Sequence, residues 1–339
     1  MKFLTFAILF PIGSATYILD EVWPKDLPAS ATYFSAIAID GEFIHVSARM
    51  NTSQPILTFN DEGELLSSWG SDEISFNDEL NSWGAHGLAS QSGSRLWVAD
   101  IQEHTTKVFT TRDRKLAGIA GTKGIAGNGI DTLQFSSTAD IAIGTGAMEG
   151  EVWVSDGDGG SNHRVVRLNT KEGDANIGIH PEWVVGDGDV NIFNSPHSIA
   201  FHERSATLVV ADRDNFRLQV LDAKTGIRLS QIGANCFGKE IDEFTAPWGV
   251  RIRDDYLYVA VCDSPETGSN QRILILEIDD LLNDECKVVE EIAVDPEKCL
   301  TPHELAIDGT SGDIFLACVT FADANTGASA SNIQRYRKH

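Results

Sequence analysis

The chain has 339 residues, of which 42% are hydrophobic, and a formal net charge of −24. This length and apolar content suit one large globular domain, and no linker is evident in the sequence. Nucleic acids and anionic membrane surfaces attract basic proteins, so the strong negative charge excludes both as partners.

The first segment of the chain, residues 1–15, reads MKFLTFAILFPIGSA, with one lysine, an apolar centre and a Gly-Ser-Ala end. It is too short to span a membrane and has the layout of a secretory signal peptide. We therefore predict that residues 16–339 form a single domain of a secreted, extracellular protein.

A smaller repeat runs through the rest of the chain, and its copies begin 51 to 58 residues apart, near Ser35, His86, Ala139, His197, Trp248 and His303. Each copy has a small-hydrophobic-Ala segment, a turn, an apolar run often ending in Asp, and a basic residue before another apolar run. Apolar runs such as Thr207-Leu-Val-Val-Ala211 read as short strands. Six repeats of this kind predict an all-β, six-bladed β-propeller, with at most a helical turn at residues 279–283.

Three histidines, His86, His197 and His303, occupy the same position in every second repeat, while Ser35, Ala139 and Trp248 occupy it in the others. Alternate blades of a six-bladed propeller lie about 120° apart, so the three imidazoles should converge on the central axis. Three imidazoles with an open fourth position form the ligand set of a catalytic zinc ion. A packing role for this position is the weaker interpretation, because the intervening repeats lack histidine.

The other histidines do not share this register, and we expect them in loops or at the surface: His45, His104, His163, His180, His202 and His339. His163 is a partial exception because it lies in a Gly-rich loop. Asp100, Asp156 and Asp212 each end a predicted strand, where carboxylates usually accept backbone N–H bonds.

Two arginines occupy equivalent regions of their repeats, Arg213 directly after Asp212 and Arg49 in the first repeat. Near the channel, either guanidinium could bind a carboxylate bidentately.

All five cysteines fall in the last third of the chain: Cys236, Cys262, Cys286, Cys299 and Cys318. In an oxidising compartment they predict up to two disulfides with at least one thiol left over. Cys286 and Cys299 could close a short loop, although the spacing alone leaves the pairing open. Asn51-Thr-Ser53 is a predicted N-glycosylation site.

Several blocks of the sequence resemble the peptidyl-α-hydroxyglycine α-amidating lyases, which are six-bladed NHL-repeat propellers. The blocks are Gly84-Ala-His-Gly-Leu88, Val152-Trp-Val-Ser-Asp-Gly157, Pro196-His-Ser-Ile-Ala200, Val210-Ala-Asp-Arg-Asp-Asn215 and Thr301-Pro-His-Glu-Leu305. The resemblance covers nearly the whole mature chain.

This resemblance implies a zinc ion on His86, His197 and His303, with Arg49 and Arg213 as active-site arginines. It also implies a structural calcium ion bound by the carbonyl oxygens of Ile37 and Leu88 and by the side chain of Glu304, where the family usually has Asp. The implied reaction breaks the C–N bond of a peptidyl-α-hydroxyglycine, or of a related N-acyl-α-hydroxyglycine, to give an amide and glyoxylate. A separate monooxygenase would supply the hydroxylated substrate, because six blades leave no room for one in this chain.

One departure concerns the general base, for which the family uses a tyrosine directly after the Ser-Asp-Gly turn of the third blade. Here the turn continues as Asp158-Gly-Gly-Ser-Asn-His163, which is longer and has no tyrosine. Asp158 or His163 is the predicted substitute, since either type of side chain can act as a general base.

The departure leaves alternatives open: a slow lyase, a lyase of different substrate range, or a metal-binding propeller without this activity. A non-enzymatic NHL propeller would bind a protein or carbohydrate over one face and use its channel metal for stability. A lactonase-type hydrolase is a further alternative, but such sites favour oxygen ligands for Ca²⁺, and three alternate histidines count against it.

Overall fold

The computed structural model of the protein describes residues 17–91, 94–171, 178–186, 188–237, 245–262, 271–319 and 332–339. Its strands form six antiparallel sheets, which are the blades of a propeller, so the predicted fold is confirmed. The predicted signal peptide lies outside the described residues. Within those residues, no helix has the length and apolar character needed to span a bilayer.

The first three blades each contain four main strands. Blade one has β2 (Thr32–Asp40), β3 (Phe43–Met50), β4 (Ile56–Phe59) and β5 (Leu65–Trp69), with the added hairpin β6 (Phe76–Asn77) and β7 (Ser82–Trp83). Blade two has β8 (Ala85–Gln91), β9 (Arg95–Asp100), β10 (Thr105–Thr110) and β11 (Leu116–Ala120). Blade three has β12 (Thr138–Ile143), β13 (Glu151–Asp156), β14 (Arg164–Lys171) and β15 (Gly178–Val185).

The last three blades follow the same plan. Blade four has β16 (Pro196–His202), β17 (Thr207–Asp212), β18 (Arg217–Asp222) and β19 (Arg228–Ile232). Blade five has β20 (Ala246–Arg253), β21 (Tyr256–Cys262), β22 (Arg272–Glu277) and β23 (Val288–Ala293), with the short helix α1 (Ile278–Leu282) before β23 where a helical turn was predicted. Blade six has β24 (Thr301–Ile307), β25 (Ile314–Val319), β26 (Ile333–Lys338) and the N-terminal strand β1 (Tyr17–Leu19).

The two ends of the described chain meet in blade six. Strand β1 pairs antiparallel with β26, Tyr17 opposite Lys338 and Leu19 opposite Tyr336. The innermost strands β2, β8, β12, β16, β20 and β24 pack against one another in a closed ring. The ring leaves a central channel, and closure by the N-terminal strand holds its first and last blades together.

Apolar side chains fill the spaces between neighbouring blades. Val209 and Leu218 of blade four, for example, pack with Val250 and Leu257 of blade five, and all four are buried. Burying each such side chain contributes about 1.5–3 kcal/mol. The alternating apolar residues of the short strands therefore hold the blades in register around the channel.

Each innermost strand has a β-bulge near its start. The pairing register shifts at Ser35, at His86 and Gly87, and at Ala139, His197, Trp248 and His303. A bulged residue is left out of the ladder and bends its strand. The repeat position singled out in the sequence is thus the irregular position of every blade.

Strand-end aspartates anchor the loops at three blades, as predicted. Asp100 accepts a hydrogen bond from the backbone N–H of Ser75 at 2.8 Å, and Asp212 accepts one from Asn194 at 2.6 Å. Asp156 accepts two, from Ser136 and Ser137. In each of these three blades the basic residue of the repeat pairs with the aspartate of its own blade. The distances are 2.7 Å for Lys107 with Asp100, 2.9 Å for Arg164 with Asp156 and 2.6 Å for Arg217 with Asp212.

The disulfides are Cys236–Cys286 and Cys299–Cys318, so the pairing of Cys286 with Cys299 suggested above is wrong. Cys286 packs beside the loop that follows blade four, whereas Cys299 lies next to β25, and strand β23 separates the two along the chain. The predicted count of two disulfides is confirmed, and Cys262 is the remaining, buried thiol.

Two histidines expected in loops or at the surface lie elsewhere. His45 is on β3 and His202 ends β16, and both are buried. Nδ1 of His45 lies 3.0 Å from the hydroxyl of Thr58, and both ring nitrogens of His202 have partners, Ser205 and Asp255. The repeat places these positions between blades, where the sequence pattern alone did not distinguish them.

Candidate metal centre and active site

The structure brings His86, His197 and His303 together on the channel axis. Their ring centroids lie 4.6 to 5.2 Å apart, and each ring offers a nitrogen within 4.8 Å of those of the other two. All three side chains are buried. The β-bulges direct the histidines of alternate blades to one point.

The tautomer of each histidine is set by the neighbouring blade. Every Nδ1 lies next to a backbone carbonyl oxygen: His86 to Ala139 at 2.8 Å, His197 to Trp248 at 2.8 Å and His303 to Ser35 at 2.6 Å. A carbonyl oxygen only accepts, so each Nδ1 must carry the proton. Each neutral ring then presents the lone pair of its Nε2, which is how protein ligands to zinc are usually oriented.

These carbonyl oxygens belong to the repeat position of the three blades without histidine. Around the ring, blades that supply a histidine therefore alternate with blades that supply the carbonyl oxygen for a neighbouring histidine. The bulge serves both kinds of blade, since it frees the carbonyl group in one and aims the imidazole in the other.

Asp158 lies at the opening of the histidine cluster. Its Oδ2 is 3.1 Å from Nε2 of His86 and 4.0 Å from Nε2 of His197. A carboxylate oxygen and an imidazole lone pair are both acceptors, so they can approach this closely only with a proton or a metal ion between them. The Nε2 of His197 is buried and has no hydrogen-bond partner among the described residues.

This donor set fits a zinc ion. Three imidazole nitrogens with an exchangeable group in the fourth position are one of the ligand sets of catalytic Zn²⁺, and carboxylate oxygens also bind Zn²⁺. Burial, together with the charge of Arg213, lowers the pKa of His197 to about 3, and burial holds the pKa of His303 well below its usual value. Both lone pairs are therefore available to a cation at physiological pH.

Arg213 holds the other oxygen of Asp158, with Nη1 2.8 Å from Oδ1. Burial alone would raise the pKa of Asp158, but the contact with His86 and the charge of Arg213 outweigh it and hold that pKa well below the usual range. The guanidinium lies 4.6 Å from the centroid of the Trp248 ring. Trp248 also contacts the rings of His197 and His303, so it forms a wall between the arginine and the histidines.

Arg49 approaches from blade one. Its Nε donates to the carbonyl oxygen of Trp83 at 2.9 Å, and its guanidinium lies 5.3 Å from the ring centroid of Tyr33. Both Arg49 and Tyr33 interact electrostatically with Asp158, which places them around the same opening. Burial raises the pKa of the Tyr33 phenol.

Tyr33, Trp248 and Arg251 were not among the predicted site residues, although each is larger than the residues at the same position of the other blades. Tyr33 stands two residues before the repeat position, where the other blades have the small residues Gly84, Ser137, Ser195, Ala246 and Thr301. Its backbone φ of 62° is left-handed, a conformation that bulky residues rarely adopt and that is often found at functional sites.

Of the two candidate bases, the structure places only Asp158 against the histidines. The ring of His163 receives a hydrogen bond at 3.4 Å from the backbone N–H of Ser195. His163 therefore supports the loop beside the site.

The residues predicted to hold calcium surround a different cation. The Oε2 of Glu304 is 2.8 Å from Nη2 of Arg251, and the same nitrogen donates to the carbonyl oxygen of Leu88 at 3.3 Å. Ile37 lines the same stretch of channel. These residues do not fit a calcium ion in this structure, because a positively charged guanidinium already lies among them.

No protein-family model matches the chain. Among curated proteins it is similar to the NHL repeat-containing protein 3 of Homo sapiens, with 28% identity over 335 residues, 94% of this chain and 85% of that protein. The probable peptidyl-alpha-hydroxyglycine alpha-amidating lyase of Caenorhabditis elegans is 27% identical over 138 residues, 41% of this chain and 37% of that protein. Peptidyl-glycine alpha-amidating monooxygenase B of Xenopus laevis is 29% identical over 171 residues, 49% of this chain and 18% of that protein.

These similarities confirm the resemblance drawn from the sequence blocks. Among solved structures, virginiamycin B lyase from Staphylococcus aureus superposes with a TM-score of 0.55 at 12% identity, covering 95% of this chain and 100% of that one. A putative 6-phosphogluconolactonase from Bacteroides uniformis gives a TM-score of 0.55 at 16% identity, covering 90% and 81%. At such low identity these two structures support the fold alone.

Proposed function

We propose that this propeller is a zinc-dependent lyase that cleaves the C–N bond of an N-acyl-α-hydroxyglycine, including peptidyl ones, to an amide and glyoxylate. The observation that carries the proposal is the position of the Asp158 carboxylate. One of its oxygens contacts the histidine cluster and the other contacts Arg213. An α-hydroxyglycine carries a hydroxyl group and a carboxylate on one carbon, so it could make the same two contacts.

Different residues would bind the metal ion and the substrate. His86, His197 and His303 would hold the zinc ion, which would supply Lewis-acid chemistry by lowering the pKa of a hydroxyl group. Arg213 would bind the substrate carboxylate, since guanidinium and carboxylate match in a bidentate pair. Trp248 keeps the Arg213 guanidinium in place through a cation–π contact, and Arg49 adds a second positive charge beside the opening.

Asp158 is then the group that moves the proton. In the structure Arg213 neutralises Asp158, but a bound substrate carboxylate would compete for that guanidinium. Released from it, the buried Asp158 carboxylate would have a higher pKa and would be a better base. It would take the hydroxyl proton as the C=O bond of glyoxylate forms and the C–N bond breaks, and would return the proton to the amide nitrogen.

A second candidate is a metal-stabilised propeller without enzymatic activity. It is favoured by the fact that Asp158 could complete a four-ligand set, since zinc sites with four protein ligands are usually structural. It is also favoured by the similarity over most of the chain to a protein named only for its repeats. In this case the metal would hold blades two, four and six together, and one face would bind a protein or carbohydrate.

Glyoxylate release from N-benzoyl-α-hydroxyglycine distinguishes the two candidates. The assay compares the protein as secreted, after removal of metal by a chelator and after zinc is added back, with spontaneous release measured without protein. We expect release that is lost on chelation and restored by zinc. A folded protein that contains zinc but releases no glyoxylate above the spontaneous rate would reject the lyase and leave the binding propeller.

A further inference from the structure

A single arginine breaks the pattern of the innermost strands. Three residues after the repeat position, five blades have alanine, and blade five has Arg251; the alanines are Ala38, Ala89, Ala142, Ala200 and Ala306. Equivalent positions of the blades form a ring around the channel. Five short side chains leave space on the axis that one long side chain can fill.

The Arg251 side chain fills that space and contacts several blades at once. Its guanidinium is paired with Asp140 of blade three, with Nη1 2.7 Å from Oδ2 and Nη2 3.1 Å from Oδ1. It is also paired with Glu304 of blade six at 2.8 Å. Further contacts reach the Leu88 carbonyl oxygen of blade two and the Ser198 hydroxyl of blade four.

One of the two carboxylates, that of Asp140, is held in place by groups other than the arginine. Oδ2 of Asp140 accepts hydrogen bonds from the hydroxyl of Ser198 at 2.7 Å and from the backbone N–H of Ile199 at 3.1 Å. Asp140 and Glu304 are each 1% exposed. Buried carboxylates this close to each other need a compensating positive charge, and the guanidinium is that charge.

Close packing of the strands supports this arrangement. A Cβ atom on Gly87 would lie 2.7 Å from Cα of Asp140, and one on Gly249 would lie 3.0 Å from Cα of Glu304. Glycine at these two positions lets the strands that carry the carboxylates approach their neighbours. Arg251 also lines a channel cavity of about 260 Å³, whose other walls are mainly alanine and isoleucine.

We propose that the Arg251 guanidinium takes the place of a divalent cation in this channel, and that its removal would leave an oxygen-lined site able to bind calcium. Two carboxylates and a backbone carbonyl oxygen are hard oxygen ligands of the kind calcium prefers. The proposal does not depend on the proposed lyase activity, because its tests measure stability and calcium content.

Two substitutions separate the effects of charge and space. Arg251→Ala removes the charge and opens the site, whereas Arg251→Met removes the charge but fills much of the space. Arg253→Ala is the matched control, because it removes an arginine from the same strand that is partly exposed and pairs with the exposed Asp254. Each protein is dialysed against calcium-free buffer that contains zinc, and its Tm and calcium content are then measured with and without millimolar calcium.

We expect the wild type to contain no calcium and its Tm to change by less than about 1 °C when calcium is added. Arg251→Ala should lower Tm by about 5–10 °C, bind calcium and recover at least half of the loss. Arg251→Met should lose stability without recovering it in calcium, and Arg253→Ala should behave like the wild type. If Arg251→Ala is secreted only when the medium contains added calcium, that result also supports the proposal.

Three results would overturn the proposal. The first is a wild type that carries calcium and loses stability when it is dialysed away. The second is an Arg251→Ala protein as stable as the wild type. The third is an Arg251→Ala protein that calcium neither stabilises nor restores to secretion.

Discussion

Two levels of the same channel show how one repeat can hold charge in opposite ways. At the first, His86, His197 and His303 direct lone pairs to the axis, and their proton-bearing nitrogens are fixed by carbonyl groups of the blades between. At the second, Asp140 and Glu304 meet the guanidinium of Arg251. The first level consists of acceptors whose arrangement fits a cation taken from solution, and the second includes its own cation.

The difference lies in side chains rather than in backbone. Both levels are built from the same innermost strands: Asp140 and Glu304 directly follow the repeat position of their blades, and Arg251 comes three residues after it. The histidines of the first level form a threefold set of acceptors, while the single residue Arg251 fills the second level. We therefore expect chemistry at the histidine level and stability at the arginine level.

The contrast between the two levels would fail most clearly if zinc binding did not depend on the three histidines. His197→Ala should bind zinc more than about 100-fold more weakly, since even residues that only support metal ligands are worth 10–100-fold, and glyoxylate release should fall to the spontaneous rate. Zinc titration and the glyoxylate assay measure both. His180→Ala, at an exposed position of β15, is the control; full activity in His197→Ala would contradict the site.

Asp158 decides whether the opening of the histidine cluster is used for catalysis. If Asp158 is the base, Asp158→Asn should keep its zinc and lose about 10²–10⁴-fold in kcat. Zinc content and kcat are measured on the same preparation. A variant that is faster than the wild type would show instead that Asp158 blocks the site, and an unchanged kcat would remove it from the mechanism.

Arg213 tests the predicted recognition of a carboxylate. Arg213→Lys keeps the charge but loses the planar fork that binds a carboxylate bidentately and stacks on Trp248. We expect KM for the hydroxyglycine to rise by about 10-fold, and kcat/KM to fall accordingly. Arg204→Lys, a surface arginine of the same blade, should leave both parameters as they are; equal values for the two variants would argue against carboxylate binding at Arg213.

His45 shows what burial does to a histidine outside the cluster. Burial lowers its pKa from 6.5 to about 4, so its neutral form stabilises the folded state. That contribution is fully present above pH 6.5 and is lost as the pH falls towards 4, which amounts to about 2 kcal/mol between pH 7 and 5. Denaturant unfolding should show a smaller loss over this range in His45→Gln and the wild-type loss in His180→Gln; equal losses in all three would be inconsistent with a neutral His45.

The fold could be predicted from the sequence because its signal is repeated. Six copies of a strand pattern, each ending in a turn, leave few alternatives to a propeller. The convergence of the three histidines followed from their register, since the geometry of six blades turns alternate positions into a threefold set. Loop anchoring by Asp100, Asp156 and Asp212 followed from the preference of aspartate for backbone N–H groups.

The parts that were missed depend on exceptions to the repeat. Tyr33, Trp248 and Arg251 are each larger than the residues at the same position of the other blades, and a shared repeat pattern does not predict what such exceptions do. The predicted pairing of Cys286 with Cys299 was wrong for another reason. Cys286 and Cys299 are close in sequence, but the tertiary contacts between blade edges decide which sulfur atoms meet, and those contacts bring Cys236 to Cys286.

Metal content tests the central claim most directly. Elemental mass spectrometry on the secreted protein should find about one zinc per chain in the wild type, as a three-histidine site requires, and almost none in His197→Ala at equal folded content. A folded wild-type protein without zinc, in a buffer that supplies it, would contradict the account, because the three histidines would then not form a zinc site.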